Sequence, residues 1–154
     1  MRISPRPATQ MNSDFEELLS IFNENEVKYL IVGGHAVMLY TEPRFTKDLD
    51  IWIEASAANA LRVFRALAQF GAPLSGLCAD DFAHEGFFYQ VGLPPVRVDI
   101  LMSIDGVQFA EAWPNRQRSV FGSQQAWFIG REDLLRNKRA TGRHIDLHDA
   151  DQLQ

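Results

Sequence analysis

From Asp48 to Glu54 the chain alternates without a break. Leu49, Ile51 and Ile53 share one parity, while Asp48, Asp50, Trp52 and Glu54 share the other. Period two marks a half-buried strand, so the segment requires a sheet with one apolar face to cover and one acidic face left over. Upstream, residues 27–32 form a short, dense apolar run suited to a strand buried on both faces. Gly33-Gly34 breaks that run, and residues 35–40 resume as a short helix that must end before Pro43. Ser13 with Glu16 spells a capping box, which predicts a helix opening there with Phe15, Leu18, Leu19 and Phe22 on one face. Ser56 caps a further helix running to about Phe70, stopped by Gly71 and Pro73.

Residues 87–91 and 96–101 predict a hairpin turning through Gly92-Leu93-Pro94-Pro95. In its second strand Val96, Val98 and Ile100 take one face, and Arg97 and Asp99 the other. A short helix at 107–113, strand-like pieces at 118–121 and 126–129, and helical segments at 131–141 and 145–153 follow. This order predicts an α/β (α+β) fold, a small mixed sheet flanked by helices with a short helical C-terminus. At 154 residues the chain accommodates one ordinary domain, expected over 13–154 behind a flexible arm at 1–12. An apolar fraction of 46% is enough to build a core without disulfides, and Cys78 is the only cysteine, which suits a reducing cytoplasm. The most apolar stretch, residues 29–40, falls short of the ~20 residues a membrane span needs, so no membrane partner is expected. The first ten residues lack the apolar core of a secretory signal.

A net charge of −5 excludes a general nucleic-acid coat protein. The run from Arg116 to Arg143 departs from that average, its basic residues opposed only by Glu132 and Asp133, and complements a phosphate-bearing ligand. Asp48 and Asp50 point to the same side of their strand, about 6.5 Å apart along the backbone. Asp99 lies within another apolar strand, where a charge is costly without a partner. If the two strands are neighbours, three carboxylates meet on one face. Oxygen-only ligation of that kind selects Mg²⁺ or Mn²⁺ rather than zinc. Without a cation the carboxylates repel, so at least one is expected to hold its proton unusually tightly. Gly33-Gly34 leaves backbone N–H groups bare at a positive helix end, ready for phosphate, but no GKS or GKT follows to make it a P-loop.

Gly33-Gly34 opening a helix, Asp48-x-Asp50 on the next strand and Asp99 on a later one together resemble the nucleotidyltransferase superfamily typified by DNA polymerase β. The segment Arg44-x-Thr46-x-Asp48-Leu49-Asp50 is similar to small AbiEii toxin-like nucleotidyltransferase proteins. So is the tail Leu134-Leu135-x-x-Lys138 with Gly142-Arg143-x-x-Asp146-Leu147 and Asp149. The resemblance implies an NTP substrate and a catalytic, metal-binding trio of Asp48, Asp50 and Asp99. It also implies that Gly33, Gly34, Arg44 and Lys138 contact phosphate, with Thr46 and Asp146 in support. The implied reaction is transfer of NMP to a protein or RNA hydroxyl, with a cognate antitoxin as a further partner. Many members carry Ser where this chain has Gly34, and Lys where it has Ile145. The alternative is a catalytically silent module of the same fold that binds nucleotide or a partner. His148-Asp149 also spells the HD pair of metal phosphohydrolases, although His35 and His84 stand in unrelated contexts.

Overall fold

The computed structural model describes residues 8–93 and 96–154, so part of the expected N-terminal arm (1–7) and the Pro94-Pro95 turn lie outside the described residues. Helix α1 spans Ala8–Glu24 and leads to strand β1 (Tyr29–Val32). Helix α2 (Gly33–Tyr40), strand β2 (Asp48–Ile53) and helix α3 (Ala57–Phe70) follow. The hairpin is β3 (Phe88–Leu93) and β4 (Val96–Leu101). A short helix α4 (Phe109–Ala112) precedes a second hairpin, β5 (Gln117–Phe121) and β6 (Gln124–Phe128). Helices α5 (Arg131–Thr141) and α6 (His144–Leu153) complete the described chain.

The six strands make one mixed sheet in the order β3-β4-β2-β1-β6-β5. β2 is antiparallel to β1 and parallel to β4, while β1 runs parallel to β6. Leu49, Ile51 and Ile53 are fully buried, as the alternation requires, and each contributes about 1.5–3 kcal/mol by leaving water. The helix α1 contributes Phe22, whose ring packs edge-on against Tyr29, and α3 packs beside it. Buried Asn59 clamps this layer to the sheet: its amide donates to the Lys28 and Glu54 carbonyls, and its Oδ1 accepts from the Lys28 N–H. Ser56 caps α3 as expected, and Gly71 ends it in the left-handed conformation.

Two local expectations are corrected. α1 begins at Ala8, five residues before Ser13, so the proposed capping box lies inside a continuing helix, and residues 8–12 are helix rather than arm. The Glu16 carboxylate instead accepts from the N–H and hydroxyl of Ser123, in the β5–β6 turn. β1 begins at Tyr29 rather than Val27, because Glu26 turns the chain with φ 55 and Lys28 is taken by Asn59. A short 3-10 turn at Ala79–Ala83, unforeseen from the sequence, buries Phe82 against Tyr89 and Phe87.

Candidate active site

The register of β2 on β4 pairs Asp50 with Asp99 and Asp48 with Arg97. Neighbours in register point to the same side of a sheet, so all three carboxylates share the face opposite α1 and α3. Asp48 and Asp99 are partly exposed there, 25% and 15%. Burial, and after it the charge of Asp99, pushes the Asp50 carboxyl up to about 7; a hydrogen bond with Asp99 and the charge of Asp48 act the same way, and Lys138 opposes them. Repulsion of the kind expected from the sequence therefore adds to the effect of burial at Asp50.

An acid whose pKa is higher in the folded than in the unfolded state costs stability as pH rises. Between its ordinary 3.8 and about 7 the folded protein holds the extra proton, and above 7 the whole cost is present. In EDTA, wild type is therefore expected to lose on the order of 1–3 kcal/mol relative to Asp50→Asn between about pH 5 and about pH 8. Urea denaturation across that range checks it, and parallel profiles for the two proteins would assign the proton elsewhere.

The glycine pair adjoins these carboxylates. Gly33 adopts φ +69, a conformation that side chains rarely tolerate, and a Cβ there would lie 2.2 Å from Asp50 Oδ2. At Gly34 a Cβ would meet Thr46 Oγ1 at 2.7 Å and the Arg44 guanidinium at 3.3 Å. The space a serine would need at Gly34 is therefore taken by the Thr46 hydroxyl. α2 starts with no side-chain cap and no acid in its first turn, so its leading N–H groups are not used by side chains of their own helix. Beside Gly33 and Asp50 opens a cavity of about 220 Å³, lined also by Ser103, Asn137, Lys138 and Arg143.

The tail residues converge on one buried ion network. Lys138 is only 8% exposed, its Nζ 2.9 Å from Asp146 and 3.5 Å from Asp149. Arg44 reaches Asp149 from the loop before β2, and Arg143 and Thr141 both donate to Asp146. Burial works to raise the Asp146 carboxyl, but these hydrogen bonds and the Lys138 charge outweigh it and hold it below the usual carboxylate range. Lys138 and Arg44, expected at phosphate, therefore have carboxylate partners within the protein. The HD reading fails on geometry, since Asp149 turns inward to Arg44 and Lys138 while His148 is exposed. His35 packs against Phe121 and Phe15, and burial lowers its pKa to about 4.

The residue that the reading of the sequence passed over is Arg97. Its Nε donates to Asp99 Oδ1 at 2.9 Å, and its Nη2 lies 3.2 Å from Asp48 Oδ2. The shared parity of Arg97 and Asp99 was the available signal. The all-oxygen donor set suits a hard divalent ion, as does Asp48 Oδ1, which is buried without a hydrogen-bond partner. Among the described residues, however, no three acidic, His or Cys side chains stand as a finished ion site.

A mixed sheet with paired acids beside a glycine-led helix defines a nucleotidyltransferase-like α/β protein. The family model for nucleotidyltransferases of unknown function, DUF6036, matches residues 9–153, and the chain belongs to that family. Solved structures agree on the fold. A nucleotidyltransferase-like antigenic protein of Paracoccidioides brasiliensis is 19% identical with a TM-score of 0.55, the match covering 97% of this chain and 78% of that one. The lincosamide antibiotic adenylyltransferase LnuA, bound to lincomycin, is 15% identical with a TM-score of 0.57, over 92% and 94% of the two chains. A Thermotoga maritima protein classed as a nucleotidyltransferase is 13% identical with a TM-score of 0.59, over 97% and 93%. No curated protein matches the sequence. Among the described residues no helix is long and apolar enough to cross a membrane.

Proposed function

We propose that the protein transfers a nucleoside monophosphate from an NTP to a hydroxyl, with Asp48, Asp50 and Asp99 as its catalytic carboxylates. The observation that carries this reading is the pairing of Asp50 with Asp99 directly against Gly33. The three aspartates would hold Mg²⁺ or Mn²⁺, which when bound neutralises phosphate charge and favours ionisation of the acceptor hydroxyl. The bare N–H groups at Gly33 and Gly34 cradle phosphate oxygens. The Thr46 hydroxyl stands in for the serine of related chains. Lys138, held by Asp146, adds positive charge beside the cavity, and Arg44 supports the loop that carries Thr46. The acceptor oxygen bonds to the α-phosphorus as the α–β bridging bond breaks. Pyrophosphate leaves with that electron pair, and Asp99 takes the hydroxyl proton.

Membership of a nucleotidyltransferase family and a shared fold with an adenylyltransferase support the donor chemistry. A protein or RNA acceptor, a cognate antitoxin and kinship with the AbiEii-like proteins rest on the sequence resemblance alone, and a cytoplasmic setting rests on the single cysteine. Incubating the protein and Mg²⁺ with α-labelled and γ-labelled NTPs and cell extract tests the proposal. Label is expected on a macromolecule from the α position only. A silent binding module is favoured by one observation, the Arg97 guanidinium lying between two of the carboxylates. That reading predicts nucleotide binding with no label transferred.

A further inference from the structure

Among the described residues, Arg97 is the one basic side chain paired with both Asp48 and Asp99. It makes two hydrogen bonds to Asp99, at 2.9 and 3.3 Å, and reaches across to Asp48 on the neighbouring strand at 3.2 Å. A guanidinium presents its donors in a planar fork, so one side chain can satisfy two carboxylates that a small divalent cation would otherwise bring together. The contact is not locked in by burial, because the Arg97 side chain is 46% exposed. It also has somewhere to go. Its register partner on edge strand β3 is Gly92, and among the described residues nothing lies within 4 Å of where a Cβ on Gly92 would stand. Among the described residues, the space over Gly92, on the side of Arg97 away from Asp48, is therefore open.

We propose that Arg97 is a resident counter-ion of the carboxylate site: it holds Asp48 and Asp99 in the free protein and must swing away over Gly92 before a divalent ion enters. This rests on the proposed function, since it takes the carboxylates to be the ion's ligands. Arg97 is a positioning residue in this scheme, acting through Asp48 and Asp99. Loading is an exchange of cations, and the ion's apparent affinity is reduced by the fraction of molecules in which Arg97 occupies the site. The arginine keeps the acids from standing unpaired, at the cost of weaker ion binding in the absence of nucleotide.

Titration with Mn²⁺ alone, by calorimetry and without nucleotide, tests this. Arg97→Gln is expected to bind Mn²⁺ about tenfold more tightly than wild type and to melt at a lower temperature in EDTA, the difference closing at saturating Mn²⁺. An arginine that acted only as a nearby positive charge would not make Mn²⁺ binding depend on the space over Gly92. Gly92→Val, which fills the space the guanidinium needs, is expected to weaken Mn²⁺ binding without altering a carboxylate, and it decides the question if Arg97→Gln does not fold. Unchanged or weaker Mn²⁺ binding in folded Arg97→Gln overturns the inference, as does unchanged binding in Gly92→Val. Asp50→Asn separates the two levels of the argument. If Mn²⁺ binding needs Asp50 but ignores Arg97 and Gly92, only the role of Arg97 falls. If it persists undiminished in Asp50→Asn, or is absent from wild type, the carboxylate site falls and Arg97 with it.

Discussion

Replacing Asp50 by Asn is expected to reduce label transfer from α-labelled NTP by roughly a thousandfold, the loss typical of removing one preorganised charge from a phosphoryl-transfer site. Asp50 is the carboxylate in contact with both halves of the site, since its Oδ2 lies where a Gly33 side chain would be and its register partner is Asp99. An amide of the same shape keeps the packing and removes the charge. The same substitution is expected to make the metal-free protein more stable at neutral pH, because burial and Asp99 hold that carboxyl at about 7. Activity and stability therefore move in opposite directions, which a general folding defect does not produce. A variant retaining more than about a tenth of wild-type kcat would remove Asp50 from the chemistry.

Lys138→Ala is expected to cost about 3–5 kcal/mol of folding stability, the range for removing one partner of a buried ion pair. The lysine is almost completely buried, and without it Asp146 and Asp149, each 2% exposed, lose their shared cation. Arg143 and Arg44 remain bound to the two aspartates, which favours the lower end of that range. Lys138→Met is expected to be nearly as harmful, because it restores volume but not charge. Adding Asp146→Asn to Lys138→Met should recover part of the loss. The sign with pH follows from Asp146, whose carboxyl is held below its ordinary range. Its contribution is complete above the unfolded value and disappears as acid protonates it, so the mutant and wild-type curves should converge below about pH 4. Urea midpoints at neutral and acid pH measure both effects. A change below about 1 kcal/mol at pH 7, the scale of a solvated surface pair, would show that the lysine's charge is not structural.

The parts of this site that were legible in the sequence are those set by local periodicity. The alternation at Leu49, Ile51 and Ile53 identified the buried face of β2, and the same parity put Asp99 on the open face of β4. The Gly33-Gly34 break marked the entry to α2 because its backbone requirement is local. What could not be read was which distant group each charge would meet. Arg44 and Asp149 are joined across 105 residues of sequence, and no spacing rule connects them. Glu16 carried a valid capping signal, yet Ser123 claims its carboxylate across the fold. The tail resemblance put Asp146 in support of Lys138, but gave no sign that α6 buries the lysine and brings Asp149 to it as a second partner. Parity tells which face a side chain takes; the partner comes from packing.

The parallel pairing of β1 with β6, through Ile31 and Phe128, has a consequence for how the chain is made. β1 lies near the middle of the sheet, and its second neighbour is synthesised about a hundred residues after it. At usual elongation speeds that interval lasts on the order of 5–20 s. β2 arrives early to cover one edge, but throughout this time Tyr29, Leu30, Ile31 and Val32, all destined for complete burial, present an unpaired edge. The nascent chain is therefore most vulnerable to aggregation between the emergence of β2 and that of β6, and slower translation across that stretch would lengthen the exposure.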